Sequence, residues 1–354
     1  MIDALNVDAM RRIAERVFVA DVYRAFGQPG TESLRELIGF VIRLYAHLDP
    51  SAATGTIYVF RAIPGTAPLP NDVIGGQVTT ERRIDRLPRT ASQVLVIEML
   101  DGGGIRFWEN ASLNEAVVSA SALLYRYRAE QEHFVIKGTD HVIDNPAAIH
   151  ASIFARPTFT SLRDAIQDYG ARKARVATCR ILRDVWDDDQ RLFLRTKPER
   201  VMRDSLAEHL MTVLRDAEVR PEQNVDESHP VDIKATWTFT ERLALIEIKW
   251  VGKSRTAGAV TVTYADARAN AGAEQLADYL DSNRTAAPSR ETRGYLVVFD
   301  ARRRGLVDSS TTISRDDGFH YERRELVYVP AYHEGRIDFE APIRIFLEPI
   351  CSAI

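Results

Sequence analysis

Cysteine is scarce in this chain, which has only Cys179 and Cys351. Two cysteines exclude a disulfide framework and a cysteine-based zinc site. Long apolar runs are also missing, since none approaches the roughly 20 residues that a membrane helix needs. The first residues lack the positive-then-apolar pattern of a secretory signal. The sequence therefore predicts a cytoplasmic protein with no membrane partner.

An excess of one charge is absent as well. The 46 Lys and Arg residues nearly balance the 50 Asp and Glu residues, for a net charge of -4. This balance excludes a globally basic coat for nucleic acid, but not a local basic groove. With 354 residues, 45% hydrophobic and 27% charged, the composition is that of a globular protein. That length predicts about two domains.

Lysine is the rarer of the two strong bases, with six of the 46 positions. The chain otherwise uses arginine wherever it needs a positive charge. A lysine is therefore informative, because its ammonium is a compact charge that can lose its proton, which a guanidinium cannot. Three of the six fall in one short stretch, at Lys234, Lys249 and Lys253.

The hydrophobic pattern divides the chain into two domains and a connection. Residues 1–155 predict an α+β domain whose role the sequence does not reveal. Prolines between 145 and 158 mark its end, and residues 156–190 predict a connecting helix from Ser161 to about Trp186. Within the first domain the pattern predicts helices at 8–26, 32–48 and 112–128, and strands at 56–63, 93–100, 105–108 and 133–137.

Residues 191–354 predict a second domain of the α/β class with a mixed central sheet. Its elements follow the order helix, three strands, helix, strand. The predicted helices are 198–216 and 268–281, and the predicted strands are 218–225, 230–237, 242–250, 293–300, 324–330 and 342–350.

Two neighbouring strands of this domain carry polar residues of a kind that can do chemistry. Asp232 is flanked by apolar residues, and Glu247 and Lys249 share one face of the next strand. Only four residues, 238–241, separate the strands, so we expect an antiparallel hairpin that brings the three side chains together. Two carboxylates beside an ammonium can hold a hard divalent cation and orient a water molecule. The alternative is an ordinary solvated strand face.

This ordered set resembles the PD-(D/E)XK nuclease superfamily, with its restriction-endonuclease-like αβββαβ fold, over about residues 197–300. The resemblance rests on Asp232, on Glu247-Ile248-Lys249 and on a helix with Gln275 and Tyr279 four residues apart. One departure is that Val231, with Pro230 one step earlier, precedes the aspartate.

The resemblance implies a role for each matching residue. Asp232, Glu247 and the main-chain carbonyl of Ile248 would hold Mg²⁺, for which Mn²⁺ would substitute. Lys249 would position the attacking water and stabilise charge on the phosphate. A glutamate of the preceding helix would complete the site, with Glu208 as the first candidate and Glu199 as the alternative. Gln275 would support the water or the carboxylates.

Nucleic-acid contacts would follow the same strand. Lys253 and Arg255 come directly after the site, and residues 251–304 carry three more basic than acidic residues, including the run Arg302-Arg303-Arg304. This is a mild basic footprint that also fits a solvated loop.

The sequence therefore predicts a magnesium-dependent nuclease, with DNA favoured over RNA, acting as a homodimer in restriction or anti-phage defence. Residues 1–155 would select the substrate or bind a partner or ligand. Two other interpretations remain open. One is a nucleic-acid-binding or ligand-sensing protein of the same fold that does not cleave, and the other is a scaffold with an accidental match.

Overall fold

The chain forms two compact units, Met1–Pro157 and Thr158–Ile354. The division lies close to the boundary that the prolines predict. The computed structural model describes residues 7–70, 73–88, 91–145, 152–155, 158–214, 216–224, 230–238, 240, 242–287 and 290–352.

The first unit combines helices with a mixed sheet, as the sequence predicts. In its described part, seven strands pair in the order β3-β5-β4-β1-β7-β8-β9, and β2 pairs with β6. The pairing of β1 with β4 is parallel, and the other pairings of the larger sheet are antiparallel. The elements are α1 (Val7–His47), β1 (Ile57–Ala62), β2 (Ile74–Gly75), β3 (Val78–Glu81), β4 (Leu95–Met99), β5 (Ile105–Glu109), β6 (Ser112–Leu113), α2 (Glu115–Ser121), β7 (Ala122–Arg128), β8 (Gln131–Ile136) and β9 (Thr139–Ile143).

Two features of this unit differ from the predicted elements. The two predicted N-terminal helices are segments of α1, which breaks at Gly27, where φ is 67°. Glycine adopts this left-handed conformation without a steric penalty. The helix predicted over 112–128 is wrong beyond Ser121, because Tyr125 and Tyr127 are buried residues of a strand that pairs on both sides.

The second unit builds its core on one mixed sheet. Its elements are α3 (Phe159–Tyr169), a π-helical turn (Gly170–Ala174), α4 (Arg180–Arg183), α5 (Glu199–Val213), β10 (Ala217–Asn224), β11 (Pro230–Trp237), β12 (Arg242–Thr256), β13 (Ala259–Tyr264), α6 (Asp266–Ala286), β14 (Glu291–Asp300), α7 (Arg315–Gly318), α8 (Tyr332–Gly335) and β15 (Ile343–Phe346).

Helices cover both faces of this sheet. Its described strands follow the order β10-β11-β12-β14-β15, and β13 pairs with the far end of β12. The β10–β11 and β11–β12 pairings are antiparallel, whereas β12–β14 and β14–β15 are parallel. Apolar residues of α3 and α5 pack on one face, and those of α6 pack on the other. The predicted α/β class with a mixed sheet is therefore confirmed.

The connecting helix predicted for 156–190 is not one helix. The helical region that begins with α3 stops after the π-helical turn, and only the short α4 follows. Gly170 packs closely on Ile345, since a Cβ atom at this position would lie 3.2 Å from that side chain. Further along, Ala177 has a positive φ of 49°, which lies outside the α-helical region. These residues belong to the second unit, because Phe159 and Leu162 are part of its core.

The strand predicted for 324–330 is also wrong, because side chains bind its backbone in place of a neighbouring strand. Asn270 donates to the carbonyl of Val327 at 2.9 Å and accepts from the N–H of Val329 at 2.8 Å. The guanidinium of Arg344 donates to the carbonyl of Arg324 at 2.7 Å. The C-terminal strand predicted for 342–350 is present over the shorter span of β15.

Candidate functional site

The register of β11 and β12 brings Asp232 to Glu247. Ile233 pairs with Ile246, so one step along the two antiparallel strands sets Asp232 opposite Glu247. The β11–β12 pairing register ends at that step, and the main-chain N–H of Ile248 donates to Asp232 Oδ2 at 2.8 Å. The aspartate side chain is therefore fixed by a peptide group of the neighbouring strand. The predicted turn at 238–241 lies partly outside the described residues.

Lys249 lies on the same face of β12 as Glu247 and pairs with it. Its ammonium donates to Glu247 Oε1. Both side chains are deeply buried, with Glu247 1% and Lys249 5% exposed. A buried pair of this kind loses its hydration, so its net contribution to stability is small.

Burial and like charges disfavour ionisation of the carboxylates. Burial is the main cause that raises the pKa of Glu247 to about 8, followed by the nearby charge of Asp232. Burial also raises the pKa of Asp232, against the opposing effects of the Ile248 N–H and Lys249. The charge of Glu199 adds to both shifts. The positive charges of Lys249 and Arg203 therefore do not offset the effect of burial on the pKa of Asp232.

One atom of the site lacks a hydrogen-bond partner. Glu247 Oε2 is buried and accepts no hydrogen bond from any described residue. An unsatisfied buried carboxylate oxygen is costly, and such atoms call for an explanation. A cation between Glu247 and Asp232 would satisfy this oxygen.

The two candidate helix glutamates, Glu199 and Glu208, lie in different surroundings. Glu208 is exposed on α5, whereas the charge of Glu199 acts on both site carboxylates. Helix α5 runs antiparallel to β10, so the first turn of the helix lies beside the C-terminal end of that strand. An ion pair of 3.0 Å between Arg203 and Glu222 fixes this alignment. Glu208 lies about 13 Å further along the helix than Glu199.

Helix α6 presses against Lys249 through a glycine. A Cβ atom at Gly272 would come within 2.5 Å of Lys249 Cγ, so only glycine allows this approach. Gln275, one turn further along, donates to the hydroxyl of Tyr279. Tyr279 is buried in the core under α6, which agrees with a packing role. No contact joins Gln275 to the site carboxylates among the described interactions, and its catalytic role stays a prediction.

Lys253 and Arg255 already have intramolecular partners. Lys253 donates to the carbonyl of Leu306. Arg255 pairs with Asp187 at 2.7 Å and lies 4.3 Å above the ring of Phe193. The contacts of Arg255 hold β12 against the segment before α5, and that of Lys253 holds it against the segment after β14. Nucleic-acid binding by either residue stays a prediction.

The arginine run 302–304 is likewise engaged within the chain. Arg302 pairs with the buried Asp300 at 2.6 Å, and Arg304 pairs with Asp317. Arg303 is buried, and burial lowers its pKa to about 10. The basic residues singled out in the sequence are therefore engaged by contacts within the chain, with carboxylates for Arg255, Arg302 and Arg304 and with carbonyls for Lys253 and Arg303.

Metal ligation would need more than the side chains that meet here. Among the described residues, no three His, Cys, Asp or Glu side chains gather closely enough to form a complete metal site. Asp232 and Glu247 supply two carboxylates, and main-chain oxygen and water would have to supply the rest.

Comparison with family models, with characterised proteins and with solved structures gives no significant match for this chain. No helix within the described ranges is long and apolar enough to cross a membrane.

Proposed function

We propose that the chain is a metal-dependent nuclease that hydrolyses phosphodiester bonds, with DNA as its substrate. The observation that carries this proposal is the unpartnered Oε2 of Glu247, buried beside Asp232 and within the same cluster as Lys249. A purely structural cluster would be expected to satisfy that oxygen. The order α5, β10, β11, β12, α6 and β14 is similar to the αβββαβ order of the restriction-endonuclease-like fold, with β13 as an additional strand between β12 and α6.

The donor set suits a hard divalent cation. Carboxylate and carbonyl oxygens are the ligands that Mg²⁺ prefers, and Mg²⁺ commonly keeps several waters beside one or two carboxylates. Asp232, Glu247 and the Ile248 carbonyl would hold Mg²⁺ or Mn²⁺, with Glu199 as the additional carboxylate in place of Glu208. The pKa values of Asp232 and Glu247 stay raised although Lys249 lies beside them and Arg203 acts on Asp232, and such carboxylates fit a cation.

The chain's own residues would prepare the reaction. The Ile248 N–H keeps Asp232 in one orientation, so the carboxylate does not have to be ordered when ligand binds. Glu247 must give up its proton before it can serve as a ligand. Lys249 would orient the attacking water and stabilise the negative charge that develops on the phosphate. The bound cation would neutralise the phosphate and lower the pKa of the attacking water.

The substrate and the oligomeric state are proposed from the resemblance of the sequence to the nuclease superfamily. The superfamily acts mostly on DNA, and cutting both strands would need two sites, so we propose a homodimer. The first unit would select the substrate or respond to a partner, in a restriction or anti-phage role.

The test is cleavage by the full chain of supercoiled, linear and single-stranded DNA, and of RNA, with Mg²⁺, Mn²⁺ or EDTA. Lys249→Ala should abolish cleavage. The matched control is Lys234→Ala, which removes a lysine from the neighbouring strand, where it lies opposite Leu245. Metal-dependent cleavage lost only in the first variant supports the proposal. Binding of DNA without cleavage under every condition would replace it with the non-cleaving alternative.

A further inference from the structure

The first turn of α6 carries an arginine, Arg268, at the border of the site. Its guanidinium donates to Glu199 Oε1 at 2.7 Å and lies 4.8 Å above the ring of Tyr264. Its Nε is buried and has no hydrogen-bond partner among the described residues. Arg268 is therefore held in place while one of its donors stays unused.

The helix places this arginine on the face that packs on Lys249. Arg268, Gly272 and Gln275 are spaced four and three residues apart, so they share one face of α6. The middle residue of the three lies against the Lys249 side chain. Arg268 lies about one turn, or about 6 Å, closer to the start of the helix than Gly272.

Arg268 differs from Arg255 and Arg302 in the carboxylate with which it pairs. Arg255 pairs with Asp187, and Arg302 pairs with Asp300. Neither aspartate is among the main causes of the pKa shifts of Asp232 and Glu247. Arg268 instead pairs with Glu199, whose charge acts on both Asp232 and Glu247. A cation at those carboxylates would attract Glu199 and weaken its hold on the guanidinium.

We propose that Arg268 is a phosphate-binding residue of this site, whose guanidinium binds a DNA phosphate once Glu199 turns toward the bound cation. Guanidinium groups present paired N–H donors that match phosphate oxygens. The inference rests on the proposed nuclease function and adds to it a residue that the sequence pattern did not indicate.

The test measures binding separately from cleavage. In the full chain with Lys249→Ala, which the proposed function expects to be inactive, affinity for a short fluorescein-labelled DNA duplex is measured by anisotropy in Mg²⁺ at several salt concentrations. Adding Arg268→Ala should weaken binding about tenfold, as expected for one charge-assisted contact. It should also reduce the slope of log Kd against log salt by about one unit.

The matched control is Arg284→Ala in the same background. Arg284 is also an ion-paired α6 arginine, bonded to Asp338 at 2.9 Å, but it lies more than four turns further along the helix. It should leave the affinity and the salt slope unchanged. Equal effects of the two substitutions would overturn the proposal, and thermal denaturation checks that both variants are folded.

A second arm uses the partner of Arg268. In EDTA, Glu199→Gln should tighten DNA binding because it releases the guanidinium, and adding Arg268→Ala should remove that gain. If the tighter binding persisted without Arg268, it would come from the lost charge of Glu199, and this result would contradict the proposal. Failure of the wild-type chain to cleave DNA in Mg²⁺ or Mn²⁺ would instead refute the nuclease function itself. If the wild-type chain cleaves DNA but Arg268→Ala weakens DNA binding no more than Arg284→Ala does, only the role of Arg268 is refuted.

Discussion

The main-chain N–H of Ile248 donates a hydrogen bond of 2.8 Å to Asp232 Oδ2, and this bond joins the two strands of the candidate site where their described pairing register ends. The N–H that binds Asp232 belongs to the residue between Glu247 and Lys249. The position of the Asp232 carboxylate is therefore tied to the Glu247 and Lys249 side chains. The fold thus presets the site geometry through the backbone.

Asp232→Asn should separate chemistry from folding. The amide keeps an oxygen that can accept from Ile248 but lacks the charge that a cation needs, so cleavage should fall by at least about 100-fold with little loss of stability. Asp232→Ala should also lower the free energy of unfolding by about 1–3 kcal/mol, because it leaves a buried N–H unpaired. Urea denaturation and a cleavage assay measure the two effects. Retained activity in Asp232→Asn would exclude the carboxylate as a ligand.

The stability gained from Mg²⁺ should increase with pH. The pKa of Glu247 is raised from 4.5 to about 8. Between these values the folded chain holds a proton that the unfolded chain has released, so metal-free stability falls as pH rises through this window. Mg²⁺ competes with that proton, and its binding releases it.

The measurement is the Tm with and without Mg²⁺ at about pH 6 and about pH 8.5, where the competing proton is mostly bound and mostly released, respectively. The increase in Tm should be larger at the higher pH, and Glu247→Gln should lose it at both. An equal increase at both values would mean that Glu247 does not compete with the cation.

Glu199→Gln should impair cleavage, whereas Glu208→Gln should not. The charge of Glu199 acts on both site carboxylates, but Glu208 is exposed about 13 Å further along α5. Each substitution changes one helix glutamate to the amide of the same shape, so the pair is matched. Cleavage rates at saturating Mg²⁺ compare them. The reverse ranking would restore Glu208 as the helix carboxylate.

Gly272→Ala should disturb the site through Lys249. The added methyl would overlap Lys249 Cγ at 2.5 Å, and overpacking of a buried contact costs about 1–3 kcal/mol. Lys249→Ala should relieve this cost, so a double-mutant cycle should give a coupling energy of at least about 0.5 kcal/mol. Gly335→Ala is the control, since its new methyl meets no atom within 4 Å. Additive effects of the two substitutions would refute the contact.

The period-two pattern of the two central strands was sufficient to predict their pairing and the meeting of Asp232, Glu247 and Lys249. Alternation assigns side chains to faces, and the short connection requires an antiparallel hairpin. The site core was therefore accessible from local sequence alone.

The helix carboxylate required tertiary information. Which end of α5 lies level with Asp232 depends on the direction of the helix relative to β10 and on its length, and counting turns along the chain pointed to Glu208. The proximity of Gly272 to Lys249 was equally hidden, because a glycine within a helix has no pattern that names its neighbour. The internal pairing of Arg255 and Arg302 depends on acidic partners whose contacts the sequence pattern did not indicate.

The most direct test of the central claim is a crystal structure of the full chain with Mn²⁺, with the ion located by its anomalous scattering. The account predicts an ion bound by Asp232, by Glu247 Oε2 and by the Ile248 carbonyl, at the short oxygen distances of about 2.1–2.2 Å typical of small divalent cations. An ion bound elsewhere, or a Glu247 that keeps Lys249 as its sole partner in saturating Mn²⁺, would contradict it.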